Sequence, residues 1–283
     1  MKTSTLTYRL MMKFGMEEAV RMLCEAGFDC IDQSFFTGQE TKLVLEEDDY
    51  LERMHGLRKI AASYGVTFNQ THAPFPSFIE GNETYNQWAW KVLVKSIEAS
   101  GILGAEYMVV HPFYVSKDKK KANMDFFGAL LPMAQQHNVR LAIENMFAWD
   151  PVKETLVKNV CSDAEELGDY VDSLDSDFAV ACLDVGHCGL VGESAPDMIR
   201  KLGHRLRSLH IHDNDNISDL HAIPFSGKID FAGITDALRE IGYKGEMTLE
   251  TDRMLDGYPV EMYPDVLQLL SRTARYLADS TGL

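Results

Sequence analysis

Short apolar or β-branched runs alternate with longer amphipathic runs along almost the whole of this 283-residue chain. Each apolar run is predicted to be a strand, and the amphipathic run that follows it is predicted to be a helix. Strict alternation of strands and helices predicts a parallel sheet, and eight such units in a chain of this length predict an α/β fold, a single (β/α)₈ barrel over residues 1–283. The predicted strands lie at residues 4–8, 28–34, 66–74, 105–112, 139–145, 178–187, 206–214 and 245–251.

Capping signals support several of the helix boundaries. Ser162 and Glu165 have the spacing of a capping box, and Ser194 and Asp230 are predicted N-caps of the next helices. A doubly wound open sheet is the rival architecture, but it predicts a glycine-rich phosphate loop after the first strand. The segment TYRLMMKFG, residues 7–15, is not such a loop, so the barrel is favoured.

The composition limits the classes of partner. The formal net charge is −16, whereas proteins that bind nucleic acid use Lys and Arg to neutralise phosphates. The basic run KDKKK at residues 117–121 is interpreted as a solvated surface between two elements. The five cysteines show no pairing pattern, and the sequence has neither a signal-peptide pattern nor a long apolar run. These features predict a cytoplasmic protein that does not bind membrane. Together with the negative charge, they predict that it does not bind nucleic acid.

Ionisable side chains gather where the predicted strands end. In a barrel these C-terminal strand ends meet at one mouth, where the active sites of this fold are built. His, Asp and Glu side chains together bind divalent metals such as Zn, Mn or Co, and carboxylates with water also hold Mg. The candidates are His72, His111, Glu144, Asp184, His187, His210, Asp219, His221 and Glu250.

A single histidine at a strand end is more often a hydrogen-bonding residue than a metal ligand, but the joint pattern favours a site. An acidic chain with nine histidines has placed most of them at one end of consecutive strands. His55, His137 and His204 fall on or near helices and receive no role. His212 shares a strand face with His210 and is ranked below the nine candidates, as a ligand or as a partner of one.

Several sequence motifs resemble those of the xylose isomerase-like TIM-barrel superfamily, which includes sugar (phosphate) isomerases and epimerases and endonuclease IV-type enzymes. The resemblance covers about residues 66–250 and rests on THAPF, on HP after a strand, and on IEN, LDVGH, HIHDND and DLH. It implies that one divalent metal is held by Glu144, Asp184, His210 and Glu250. It also implies that Glu144 and Glu250 act as the acid/base pair.

The resemblance leaves the metal count open between one and three, with one ion favoured. His187 matches a substrate contact in the epimerases but a zinc ligand in the endonucleases, whose three zinc ions match all nine candidates. The epimerases carry an arginine shortly after the strand-seven histidine, and here that loop has none. The usual glycine-rich turn is altered to PFSGKID, residues 224–230. The metal is expected to be Mn, Zn, Mg or Co.

The leading functional hypothesis is a metal-dependent isomerase or epimerase of a small sugar-like polyhydroxy carbonyl compound. A metal would stabilise the enediolate while one glutamate removes a proton and the other returns it. The alternative is a multi-zinc phosphodiesterase resembling an abasic-site endonuclease, which the charge opposes. A non-catalytic carbohydrate-binding barrel is a third class. A homo-oligomer remains open.

Other residues are candidate substrate contacts. Arg9 and Arg253 are expected near the mouth, where each either holds an anionic group or covers the rim. His187, His221 and Trp149 are further candidates, and Phe35, Phe36 and Phe147 are weighed as sugar-stacking walls or as loop packing.

The stretch HIHDNDNISDLH, residues 210–221, is predicted to serve two ligand clusters. His210 is expected at the central metal. Asp219 and His221 are expected either to form a second site with His72, His111 and His187 or to bind sugar hydroxyls. Asp213 and Asp215 are expected to shape the loop through backbone hydrogen bonds.

Overall fold

The structure is a computed structural model that describes residues 1–36 and 43–283. Eight parallel strands form its centre, and an antiparallel hairpin of two further strands follows the fifth. The strands are β1 (Thr3–Thr5), β2 (Cys30–Ser34), β3 (Thr67–His72), β4 (Tyr107–Val110), β5 (Arg140–Glu144), β6 (Phe147–Asp150), β7 (Thr155–Lys158), β8 (Ala179–Asp184), β9 (Leu206–His210) and β10 (Met247–Leu249).

The eight parallel strands close into a ring. Six of them pair in the order β2-β3-β4-β5-β8-β9, and β1 pairs with β10. Parallel bridges from Leu6 to Asp32 and from Ile211 to Leu249 join these two groups at both edges. The predicted (β/α)₈ barrel is therefore confirmed, and the β6–β7 hairpin is an insertion that the strand–helix rhythm did not indicate.

Helices surround the ring and contribute buried apolar residues to the core, and the short helix Val185–Leu190 also carries His187 at the cavity. In chain order they are α1 (Tyr8–Phe14), α2 (Met16–Glu25), α3 (Tyr50–Ser63), α4 (Glu83–Leu103), α5 (Lys119–His137), α6 (Ala164–Ser173), α7 (Val185–Leu190), α8 (Ala195–Leu202), α9 (Phe231–Ile241) and α10 (Tyr263–Ser280). Within the described ranges, none of these helices combines the length and the apolar character that a membrane crossing requires.

Two of the three predicted caps are confirmed. The Ser194 side chain accepts from the Asp197 N–H, and the Asp230 side chain accepts from the Gly233 N–H. The predicted Ser162–Glu165 capping box is wrong by one residue, because Asp163 is the N-cap of α6 and accepts from the Glu166 N–H.

Most predicted strands end earlier than expected, and two of these early ends bear on the site. The strand predicted to reach residue 187 ends at Asp184, whose carboxylate accepts from the His187 N–H and so starts helix α7. The strand predicted to reach residue 214 ends at His210, followed by the Ile211 bridge. A side-chain cap directly after an apolar run explains the first difference, since it stops the strand and begins a helix without an intervening loop.

Candidate functional site

A cavity of about 390 Å³ opens at the C-terminal ends of the barrel strands. Its size lies within the range of roughly 300–1,000 Å³ that small-molecule sites usually have. Most of the residues predicted from the sequence contribute to its wall: Arg9, His72, His111, Glu144, His187, Asp219, His221, Glu250 and Arg253. Asp184 and His210 are fully buried and are not among the described residues that line the cavity.

Five of these side chains form a central cluster, which we define as His72, His111, Glu144, His210 and Glu250. His210 Nδ1 lies 2.7 Å from Glu144 Oε1 and 3.1 Å from Glu250 Oε2. The other oxygen of Glu144 lies 2.9 Å from His111 Nε2. The His72 ring packs 4.8 Å from that of His111 and 5.4 Å from that of His210. All five are carried by strand ends, which hold side chains rigidly.

In the central cluster, burial and neighbouring charges have opposite effects on the pKa values of Glu144 and His210. Burial, followed by the neighbouring His111 and His210, lowers the pKa of His72 to about 4. Burial acts to raise the pKa of Glu144, but His210 and His111 outweigh it and hold that pKa well below its usual range. Conversely, Glu250 and other anionic groups outweigh burial and raise the pKa of His210. The cluster therefore favours an ionised Glu144 beside cationic charge.

Five further side chains form an outer cluster, which we define as Asp184, His187, His212, Asp219 and His221. His212 Nε2 lies 2.9 Å from Asp184 Oδ1, and His221 Nε2 lies 2.9 Å from Asp219 Oδ2. The rings of His212 and His221 stack in parallel at 4.4 Å. The carboxylates of this cluster are also kept ionised, since His187 and His212 lower the pKa of Asp184 against the opposing effect of burial.

The segment 210–221 thus contributes to both clusters. His210 belongs to the central cluster, and Asp219 and His221 belong to the outer one. In the groups of nearby ligand atoms, His72 and His111 lie with Glu144, whereas Asp219 and His221 lie with His212. The other predicted alternative, that Asp219 and His221 bind sugar hydroxyls, stays a prediction. The Asp184 carboxylate lies within 4.8 Å of ring nitrogens of His187 and His212. The prediction that Asp213 and Asp215 shape the loop is confirmed, because both carboxylates accept backbone N–H groups there.

The part that His212 plays in the site is larger than its sequence ranking, below the nine candidate ligands, indicates. His212 is completely buried and contacts the carboxylate of Asp184. The strand pattern contained the signal, because residues two apart on a strand point to the same side, and His210 was already placed in the barrel mouth.

Both clusters fit a divalent cation. Each contains groups of three ligand atoms that lie within 4.8 Å of one another. Glu144 Oε2, His111 Nδ1 and Asp219 Oδ1 are buried without a hydrogen-bond partner, although Glu144 Oε2 is close to His111. Buried polar atoms are rarely left without partners in native proteins. A bound cation would give the two carboxylate oxygens a partner, one in each cluster.

The rim of the cavity contains the two predicted arginines. Arg9 pairs with Asp256 at 3.2 Å, and its Nε is buried without a partner. Arg253 donates through Nη1 to the backbone oxygen of Asp219. Both side chains line the cavity.

The aromatic candidates separate into three groups. Phe36 and Phe147 line the cavity, and Phe147 packs edge-on against His187. Phe35 is buried in the hydrophobic core. Trp149 lies on β6 of the inserted hairpin, 58% exposed, and is not among the described residues that line the cavity.

Asp32 and Gln70, which received no role from the sequence, lie directly beneath the central cluster. Gln70 Nε2 donates to Asp32 Oδ2 and lies 3.1 Å from His210 Nε2. Both residues are about 1% exposed. The available signal was weak: an Asp and a Gln in the middle of the buried strands FDCIDQS and VTFNQTH.

A family model described as the xylose isomerase-like TIM barrel matches residues 20–273 of the chain. The chain belongs to this family. The uncharacterized protein y4fM of Sinorhizobium fredii is 27% identical to it over 84% of this chain and 81% of that protein. The D-psicose 3-epimerase of Enterocloster bolteae is 31% identical, over 43% of this chain and 38% of that enzyme.

Solved structures agree with the fold. A crystal structure of a D-psicose 3-epimerase in the presence of D-fructose matches 98% of this chain and 99% of that one, with a TM-score of 0.74 and 16% sequence identity. At this identity the likeness concerns the architecture alone, since one fold hosts many chemistries.

Proposed function

We propose that this family member is a metal-dependent epimerase or isomerase of a small sugar or sugar-like hydroxycarbonyl compound. The proposed ligands of one divalent ion are Glu144, His210 and Glu250 of the central cluster together with Asp184 from the neighbouring strand β8. A cation there would supply Lewis-acid stabilisation of the negative charge that develops next to the substrate carbonyl. The match to sugar 3-epimerases in fold, and over part of the sequence, supports the substrate class.

One observation carries this proposal: Glu144 and Glu250 approach the same nitrogen of His210 from different strands. Glu144 ends β5, whereas Glu250 directly follows β10, and β8 and β9 lie between them in the ring. The two carboxylates therefore reach the same part of the cavity wall from different strands. This is the arrangement that proton removal on one side of a carbon and proton return on the other requires.

The residues of the chain perform the proton transfers. One glutamate accepts the proton from the carbon next to the carbonyl, and the other donates a proton to the opposite side or to the neighbouring carbon. His210 and His111 hold Glu144 ionised, and a base has to be ionised before it accepts a proton.

The remaining wall would bind the substrate. His187 and His221 of the outer cluster offer ring nitrogens for hydroxyl groups, and Phe147 offers an apolar surface beside His187. Arg9 and Arg253 are proposed as rim contacts for oxygen atoms at the far end of the substrate. Within the part of the chain that the structure describes, Trp149 does not line the cavity, and it receives no role in this proposal.

Proton exchange with solvent is the direct test. The protein, loaded in turn with Mn²⁺, Mg²⁺, Co²⁺ or Zn²⁺, is incubated with ketopentoses and ketohexoses in D₂O. NMR then detects loss of the proton next to the carbonyl and appearance of the epimer or isomer. Glu144→Gln and Glu250→Gln are each expected to lower the exchange rate by about 10²–10⁴-fold, the usual contribution of a general acid or base.

Glu165→Gln is the matched control, because Glu165 is an exposed glutamate on α6 that pairs with Lys201. It is expected to exchange at the native rate. Native exchange in both site variants, or no exchange of any sugar with any of the four metals, contradicts the proposal.

The outer cluster supports a second candidate, a multi-metal phosphodiesterase. Three of its side chains, His212, Asp219 and His221, lie close enough to share an additional ion. The formal net charge of −16 opposes duplex DNA as the substrate. Zinc-loaded protein is therefore expected to leave an abasic duplex uncut. Tight, salt-sensitive binding followed by strand cleavage would reverse the ranking of the two functions.

A further inference from the structure

The orientation of the buried Gln70 amide is fixed by its neighbours. Its Oε1 accepts from Ser208 Oγ at 2.8 Å and lies 3.4 Å from both Thr248 Oγ1 and Asn69 Nδ2. Because these groups surround Oε1 as donors, the amide nitrogen has to point the other way. It donates to Asp32 Oδ2 at 2.8 Å.

A β-bulge brings Asp32 opposite this amide. Between β2 and β3 the register shifts, so that Ile31 pairs with Phe68 but the next residue, Asp32, pairs with Gln70. Such a bulge re-aims side chains at the end of a sheet. As a result, Asp32 projects into the polar interior of the barrel, below the cavity.

Asp32 is poorly compensated for a buried carboxylate. It is 1% exposed, and its Oδ1 has no hydrogen-bond partner. Burying a carboxylate beside a single neutral amide is costly, and such groups are normally paired with a cation or hydrogen-bonded through both oxygens. The ring nitrogen His210 Nε2 lies 3.5 Å from Asp32 Oδ2 and provides an ionisable group that could compensate it.

His210 presents its two ring nitrogens to two different environments. Nδ1 faces the glutamates Glu144 and Glu250 in the cavity, and Nε2 faces Asp32 and Gln70 beneath it. A neutral imidazole that binds a cation does so through its unprotonated nitrogen and carries its proton on the other. If Nε2 accepted from the Gln70 amide, the proton would be on Nδ1, and Nδ1 could not be a ligand.

We propose that Asp32 is the positioning residue for His210. By accepting the His210 Nε2–H, Asp32 would leave the Nδ1 lone pair, on the side of the ring that faces Glu144 and Glu250, available to hold a cation. The inference rests on the proposed function in one respect, the use of His210 as a ligand. It adds a residue on strand β2 that touches neither metal nor substrate and acts through the far side of the ring.

The protonation of the His210 ring can be observed in the unchanged protein. In zinc-loaded protein labelled with ¹⁵N at histidine, long-range ¹H–¹⁵N spectra distinguish the two ring nitrogens, and His210→Ala identifies the signals. We expect Nε2 to be protonated and Nδ1 to carry the metal. Zinc-loaded protein in which His210 is protonated on Nδ1 overturns the inference, and this measurement does not depend on a variant that folds.

Asp32→Asn then measures the contribution of the carboxylate. The zinc dissociation constant, obtained by competition with a chelator, is expected to rise about 10–100-fold, the usual effect of losing the outer partner of a histidine ligand. Asp29→Asn is the matched control: Asp29 lies just before the same strand, is bonded to Thr3 and paired with Arg275 outside the site, and should leave the constant unchanged.

The two ideas fail in different ways. If His210→Ala binds zinc as tightly as the native chain, the proposed metal centre is wrong and the inference falls with it. If His210→Ala loses zinc but Asp32→Asn keeps the native dissociation constant, the metal centre stands and only the role of Asp32 is overturned.

Discussion

Helices α6 and α7 begin with the same local device in two very different surroundings. Asp163 caps α6 by accepting from the Glu166 N–H, and Asp184 caps α7 by accepting from the His187 N–H. Asp163 is partly exposed and pairs with Lys158, whereas Asp184 is completely buried among histidines. An aspartate cap therefore stabilises a helix in one place, and in the other it also places a carboxylate and a histidine at the cavity.

The comparison of the two caps shows how the site is made rigid. Strand β8 ends at Asp184, and the capped helix α7 starts at once, without a loop between them. Two ionisable side chains three residues apart, Asp184 and His187, are thereby fixed relative to the barrel. Asp163 follows the surface hairpin β6–β7, and its ion pair is screened by solvent.

The largest expected effect comes from removing the charge of the buried cap. Asp184→Asn keeps an oxygen that can accept from the His187 N–H but loses the negative charge next to the proposed metal. We expect metal content, measured by elemental analysis, to fall sharply and turnover to fall at least about 100-fold, since breaking a buried charge pair is strongly unfavourable. Asp163→Asn is the matched control and should retain native metal content. Full metal occupancy in the Asp184 variant would remove Asp184 from the ligand set.

A second way to sharpen the comparison uses the glycines of the two helices. A Cβ added at Gly186 in α7 would lie 2.0–2.7 Å from ring atoms of His212, whereas one at Gly168 in α6 would meet Arg205 only at 3.6 Å or more. Gly186→Ala should therefore push His212 away from Asp184. We expect the central metal to remain and turnover to fall about tenfold, roughly the effect of a misplaced partner of a ligand.

Gly168→Ala is the control for that experiment and should retain native turnover, with a small gain in stability from the better helix former. Metal content and the thermal midpoint are measured for both variants. Loss of the central metal in Gly186→Ala would show that the clash at His212 is transmitted to the central site through Asp184, which His212 contacts.

Much of this arrangement could be predicted from the sequence, because strand ends are local features. An apolar run followed by an ionisable residue placed His72, His111 and Glu144 at the mouth of a barrel without any knowledge of distances. The alternation of elements predicted the fold for a similar reason, since each strand–helix unit carries its own pattern.

What the sequence could not provide is the pairing of side chains from distant strands. The contact of Asp184 with His212 and that of Asp32 with Gln70 depend on sheet register, and the second depends on a one-residue bulge. A bulge changes which residues are opposite each other without a strong sequence signal. The β6–β7 hairpin was missed because its two short strands lie at the surface, where alternation is weak.

A smaller effect is expected at the other end of the outer cluster. His221→Ala removes a ring that stacks on His212 and contacts Asp219, but it leaves Glu144, His210 and Glu250 in place. We expect the central metal to remain and KM to rise several-fold, or a second ion to be lost, as elemental analysis and steady-state kinetics would show. If this variant empties the central site as completely as His210→Ala does, the division into two clusters is wrong.

The smallest expected effect lies at the exposed cap, where only stability is involved. Burial acts to raise the pKa of Asp163, but the Glu166 N–H and the charge of Lys158 outweigh it and lower that pKa below its unfolded value. A lowered pKa means that the charged form stabilises the folded state above the unfolded pKa and that this contribution is lost as the pH falls through the folded pKa.

Asp163→Asn should therefore lower the free energy of unfolding near pH 7 by about 0.5 kcal/mol, the size of a partly screened charge at a helix start. The difference from the native chain should shrink below pH 4 and vanish once Asp163 is protonated in both states. Urea unfolding at several pH values measures this, with Glu165→Gln as a control in the same helix turn. A deficit that stays constant down to pH 2 would mean that the Asp163 charge contributes nothing and that the two caps differ in shape rather than in electrostatics.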